Sequence, residues 1–202
     1  MNPTLAALVI HDLKNALGVL EEQLLALESE PTQVLAHNAR INCTELRARF
    51  VAFLLLYGGD DELRAVVSDE SPHDFLVSQI ALAQQNNATI SAELGPCDTT
   101  CPFWYFDPRL VRLALDAALH NAWRFARSRV VLSSQVENGF LGFMIDDDGP
   151  GLGSGEEEAS ATGLGSELCR AVAEAHKNGG RQGFIRLANR PEGGVRFELW
   201  LP

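Results

Sequence analysis

The sequence predicts a helical hairpin followed by an α+β two-layer sandwich, an all-α module joined to a mixed α/β one. Three observations carry this. The first 57 residues hold two heptad-patterned stretches separated by a proline. Beyond them, helical and strand-like runs alternate. Two of the strand pairs are joined by turn sequences, Asn138-Gly139 and Pro191-Glu192-Gly193-Gly194.

In the first module, Ala6, Ile10, Leu13, Leu17, Leu20, Leu24 and Leu27 alternate steps of four and three, an a/d seam. The stretch "ESEPT" (28–32) interrupts it, because Pro31 cannot continue a helix but can start one. The seam resumes at Ala36, Ala39, Cys43, Leu46, Phe50, Phe53 and Tyr57, and Gly58-Gly59 end it. Two seamed helices with a short connection make an antiparallel hairpin. One hairpin covers only one stripe per helix, so a homodimer with a four-helix bundle is expected. The boundary falls between domains 1–59 and 60–202.

Past Gly59 the elements follow in order. Residues 71–87 read as a helix with Ser71 as cap and Pro72 at its first position, and "ATISAEL" (88–94) alternates as a strand. Residues 106–126 read as a helix begun by Asp107 and Pro108. Strands are expected at 129–137 and 139–147, a helix at 165–177 stopped by "NGG", and strands at 183–190 and 195–202.

Composition narrows the function. Twenty-seven acidic residues against sixteen Lys plus Arg give a net charge of −11, which argues against nucleic acid or an anionic membrane as main partner. No apolar run approaches the roughly 20 residues of a membrane span, and no leader pattern opens the sequence, so a cytoplasmic protein is expected. Cys43, Cys97, Cys101 and Cys169 fit neither a zinc nor a disulfide framework.

Three segments of the second module carry chemistry. "HNAWRFA" (120–126) places Asn121, Arg124 and Phe125 within about one helical turn: an amide oxygen suits a hard cation, a guanidinium a phosphate, and an aromatic face a base. "DDDGPGL" (146–152) is a tight turn behind a carboxylate that can accept from an exocyclic amine. "ATGLGSEL" (161–168) opens a helix whose N-terminal amides favour phosphate. It is no Walker loop, since no Gly-Lys-Ser/Thr follows.

In order and spacing these segments resemble the N, G1 and G2 boxes of the GHKL ATPases, in particular the catalytic domain of sensor histidine kinases. "HKNGG" (176–180) is similar to the family's usual ending of the helix after G2, and "GGVRFELWLP" to its last strand. "HDLKN" (11–15) then resembles the H box on the first helix of a dimerisation hairpin. The resemblance covers nearly the whole chain and implies a GHKL-type sandwich, ATP and Mg²⁺ as cofactors, and the receiver domain of a response regulator as partner. It makes His11 the phosphorylated nucleophile, Asp12 the acid that polarises its ring, and Asn15 a residue that aligns water for dephosphorylating the regulator, although a solvated helix Asn would look the same. Asn121 would coordinate Mg²⁺, Arg124 meet phosphate, Phe125 pack on adenine and Asp147 accept its amino group. Gly149, Gly151, Gly163 and Gly165 would form the turns around the nucleotide.

The sequence departs from the family pattern at Ala117, Ala161 and Ala16, where Asn, Gly and Pro are usual, and its 152–160 segment carries "EEE" with no aromatic box. Only ten residues precede His11, so a separate sensor or input protein is expected. Two readings follow: a histidine kinase that phosphorylates His11, or a histidine phosphotransferase relay or scaffold with a degenerate nucleotide domain. A GHKL ATPase that drives conformational change is a third, for which the helix offers only Asp116 and His120 as general base.

Overall fold

The computed structural model describes residues 3–57, 63–86, 90–153 and 164–202. The chain divides into two compact units: one holds the first two helices together with Leu164 and Gly165, and the other the remaining described residues, including the fifth helix beyond those two.

The first unit is the expected hairpin of α1 (Pro3–Ser29) and α2 (Gln33–Tyr57). Thr32, not Pro31, caps the second helix: its hydroxyl accepts from Leu35 N at 3.2 Å. Packing splits each seam into two rows spaced by seven. Leu13, Leu20 and Leu27 are half-buried or buried, as are Ala39, Leu46 and Phe53 on the other helix. The alternate row is bare up to the half-buried Tyr57, with Ile10 at 55%, Leu17 and Leu24 at 46% and Phe50 at 52% exposure. Two helices alone cannot cover both sides of an a/d seam, so one row of each remains outside. Between the helices Asn42 Nδ2 donates to Gln23 Oε1 at 2.8 Å, a polar pair that selects one axial register.

The second unit contains β1 (Ser68–Glu70), α3 (Pro72–Asn86), β2 (Ser91–Cys97), β3 (Trp104–Phe106), α4 (Pro108–Phe125), β4 (Arg129–Glu137), β5 (Phe140–Asp147), α5 (Leu164–Ala175), β6 (Lys177–Asn178), β7 (Arg181–Gln182), β8 (Phe184–Asn189) and β9 (Val195–Leu201). Its main sheet runs β2-β4-β5-β9-β8, with β2 and β4 parallel and the other pairs antiparallel. Alternation along β5 sends Leu141, Phe143 and Ile145 into the core, all at most 2% exposed. Phe143 there meets Phe75 of α3 and Phe106 of β3 at ring distances of 5.7 and 5.5 Å. The Asn138-Gly139 turn joins β4 to β5 with φ of 52° and 75°, as a type I′ hairpin needs.

Two expectations are corrected, and one ribbon is new. The strand set at 88–94 runs from Ser91 to Cys97, with a register shift between Leu94 and Cys97 around Gly95-Pro96. The two-stranded β1–β3 ribbon was not read from the sequence, since three residues are too few for a period to register. The helix expected to reach Lys177 ends at Ala175, because His176 turns into the core at 2% exposure and "KNGGRQ" forms the β6–β7 hairpin instead.

His176 Nε2 accepts from Asp107 N at 3.0 Å and its Nδ1 donates to Val172 O at 2.7 Å. The Asp107 carboxylate caps α4 at Arg109 N and Leu110 N, and accepts from Val66 N at 2.9 Å. Burial pushes the His176 pKa down against the hydrogen bond to Val172 and the charge of Asp107. A base whose folded pKa is depressed stabilises the protein fully above its unfolded value and less as pH falls beneath it. Thermal stability of the second unit should therefore drop below about pH 6.5, by at most about 1.4 kcal/mol per pH unit. Melting curves of His176→Gln should lose that component, and an unchanged pH profile would assign it to another group.

Candidate functional site

The 146–152 turn leaves β5 and is gripped from two directions. On one side Asp148 reaches back to the α4–β4 connection. Its carboxylate accepts from Arg127 N at 2.8 Å, Ser128 N at 3.1 Å and the Ser128 hydroxyl at 2.5 Å. Partial burial opposes its ionisation, but these donors outweigh burial and hold its pKa well below the usual carboxylate range. Gly149 lies so close to Phe125 that a Cβ would stand 2.5 Å from its carbonyl oxygen, so only glycine lets the turn meet the end of α4. On the other side Val195 N of β9 donates to Asp147 Oδ1 at 3.1 Å. Gly149 N donates to the same oxygen at 2.8 Å.

Asp147 is thereby 5% exposed with one oxygen committed to two backbone amides, and among the described residues no hydrogen bond reaches Oδ2. A carboxylate so held is a fixed acceptor with one oxygen left for a donor. Gly151 takes φ +94°, a conformation that bulkier residues resist.

The structure thus joins Asp147, Gly149 and Phe125 directly. Arg124 is exposed, and its guanidinium lies over the Phe125 ring at 5.4 Å. Asn121 is exposed one turn earlier on α4, and its side chain makes no hydrogen bond to another described residue. Its amide oxygen fits the hard-cation donor that Mg²⁺ requires. Gly165 sits in the first turn of α5, while Gly163, Ala161 and the acidic 154–160 segment lie outside the described residues.

Sequence reasoning missed Asp148, Arg190, Asn189 and Val195. Asp148 was visible as the last acid of "DDDG", but the amides it binds are about twenty residues away. Among the described residues no group of three His, Cys, Asp or Glu could hold a metal, and all four cysteines are free. No described helix is long and apolar enough to cross a membrane.

In the hairpin, His11 is exposed on α1, and Asn15 Nδ2 lies 3.2 Å from its Nδ1, one turn away on the same face. This contact orients the imidazole. The side chain of Asp12 lies outside the described residues.

A mixed sheet layered with helices, bearing a carboxylate fixed in a glycine turn beside a helix end, is a GHKL-like α/β sandwich fold. Residues 106–202 match the family of histidine kinase-, DNA gyrase B- and HSP90-like ATPases, and the chain is homologous to sensor histidine kinases. It is 25% identical over 171 residues to the sensor histidine kinase CpxA of Escherichia coli, covering 74% of this chain and 35% of that protein. The chain therefore spans about a third or less of the length of the curated relatives it matches. Among solved structures, the ATP binding domain of PrrB from Mycobacterium tuberculosis is 28% identical, with a TM-score of 0.56, over 68% of this chain and 97% of that one. The histidine kinase AdeS of Acinetobacter baumannii shares the fold at a TM-score of 0.64 and 22% identity, over 95% and 96% of the two chains. So does the histidine kinase ThkA, solved in complex with the response regulator protein TrrA, at 0.68 and 16% identity over 99% of this chain and 61% of that one.

Proposed function

We propose that this chain is the phosphotransfer core of a two-component histidine kinase. It binds Mg·ATP in its second unit, accepts the γ-phosphoryl group on His11, and passes it to an aspartate of a response-regulator receiver domain. The observation that carries the reading is Asp147: one oxygen is fixed by Gly149 N and Val195 N while the other stays open to a 6-amino group. Asn121 offers the amide oxygen for Mg²⁺, which when bound would neutralise charge on the phosphates. Phe125 offers a face to the base and Arg124 a charge to the phosphates. Gly149, Gly151 and Gly165 let backbone approach the nucleotide, and the α5 N-terminus favours its anionic groups.

The His11 imidazole attacks phosphorus as ADP departs, so the new N–P bond replaces the broken P–O bond. Asn15 holds the ring, and Asp12 is the neighbouring acid that would stabilise charge on it. The chain acts as a homodimer, supported by the uncovered row of Ile10, Leu17, Leu24 and Phe50.

Incubation of the full chain with labelled ATP and Mg²⁺ should give an acid-labile, base-stable phosphate that disappears in His11→Ala and in Asn121→Ala. Label that arrives only from a phosphorylated regulator, and is indifferent to Asn121→Ala, would establish the relay instead. Label surviving His11→Ala under both conditions would remove His11 from the reaction.

A further inference from the structure

The turn that carries Asp147 is held at both ends by one dipeptide. Arg190 Nη1 donates to the Asp147 carbonyl at 2.8 Å, and Asn189 Oδ1 accepts from Leu152 N at 2.6 Å. Asn189 is the last residue of β8 and Arg190 opens its turn to β9. Gly151 packs against the same amide, where a Cβ would lie 2.9 Å from Asn189 Oδ1. Gly149, whose N–H fixes Asp147 Oδ1, sits between the two grips, so the aim of the carboxylate depends on both.

Ion pairing holds Arg190 only loosely: besides Asp146, the exposed Glu192 lies 3.8 Å from its Nη2. The Arg190 side chain is only 20% exposed, yet the nearby Asp146 is already matched by Arg196, which donates to both carboxylate oxygens at 2.7 and 2.6 Å. Arg190 Nε is 3.6 Å from Asp146 Oδ2, beyond hydrogen-bond range, and is buried with no hydrogen-bond partner. Among the described residues, its charge-assisted hydrogen bond goes to the turn.

We propose that Asn189 and Arg190 are positioning residues for base discrimination: by pinning residues 147–152 they keep the Asp147 carboxylate a fixed acceptor, so that a 6-amino purine nucleotide is taken and a 6-oxo one refused. The inference rests on the reading that the second unit binds ATP. A 6-amino group donates to Oδ2, whereas a 6-oxo group sets its lone pairs against the carboxylate. A fixed carboxylate cannot turn from that clash, and a loosened one can. Releasing either grip therefore weakens the 6-amino ligand and spares the 6-oxo one.

Calorimetric titration of the full chain with Mg·ATP and Mg·ITP tests this in wild type, Asn189→Ala, Arg190→Met and Asn189→Asp. Wild type should prefer ATP. In Asn189→Ala and Arg190→Met the ATP affinity should fall about tenfold with ITP no weaker than in wild type, so the preference shrinks by roughly tenfold. Asn189→Asp keeps an acceptor for Leu152 N and should keep the preference. Equal weakening of both nucleotides would make the pair merely structural and overturn the proposal, as would unchanged affinities. If Arg190→Met fails to fold, Asn189→Ala decides, because its lost partner is the N–H of the exposed Leu152. A wild type that binds neither nucleotide would instead refute the ATP reading itself, and the proposal with it.

Discussion

Asp147→Asn is expected to weaken ATP binding by about 10- to 100-fold while leaving the second unit folded. The substituted amide can still present its oxygen to Gly149 N and Val195 N, so the two backbone donors that hold the turn keep their acceptor. The opposite atom then becomes a donor facing the 6-amino donor of adenine, and the acceptor pair is lost. Asp147→Ala differs. It strands two N–H groups in and beside a buried position, at about 1–3 kcal/mol for each that water cannot reach, and should lower the melting temperature as well. Calorimetry and thermal melts separate the two variants. Full ATP affinity in a folded Asp147→Asn protein would place the base elsewhere.

Phe50→Asp should dissociate the dimer with the helices intact, whereas Leu20→Asp should unfold the hairpin. Phe50 is 52% exposed on the bare row of α2, so a charge there costs one hairpin little. In a symmetric dimer it appears twice, and burying each Phe contributes about 1.5–3 kcal/mol at most, so its loss together with a buried charge should weaken association by more than about a hundredfold. Leu20 is 8% exposed between the helices, where replacement by a carboxylate both opens a cavity and buries an unpaired charge, at about 3–5 kcal/mol or more. Sedimentation reads the first outcome and circular dichroism the second. A wild-type chain that sediments as a monomer at micromolar concentration would end the dimer reading.

The elements that the sequence announced are those whose cause is local. Asp107-Pro108 starts α4 where expected, because the cap and the fixed proline φ act within one turn. Asn138-Gly139 makes its hairpin because both residues tolerate positive φ. The seams of α1 and α2 follow from a period that two helices of this length repeat several times. The same locality singled out Asp147, Gly149 and Phe125, each in a short segment of distinctive composition, and the structure brings the three together.

What the sequence by itself determined, then, was a helical hairpin and a sandwich built on two tight strand pairs. Tertiary structure alone decided which row of each seam closes the hairpin and which stays bare, because facing is set by the partner helix and not by the period. It also paired β2 in parallel with β4 across an intervening helix, and drew His176 sixty-nine residues back in sequence to the amide of Asp107. Above all it decided that, among the described residues, the backbone donors meet one oxygen of Asp147 and leave the other. Val195, Arg190 and Asn189 lie roughly forty residues beyond the turn they fix, and contacts at that separation form only when β9 and β8 add to the sheet beside β5.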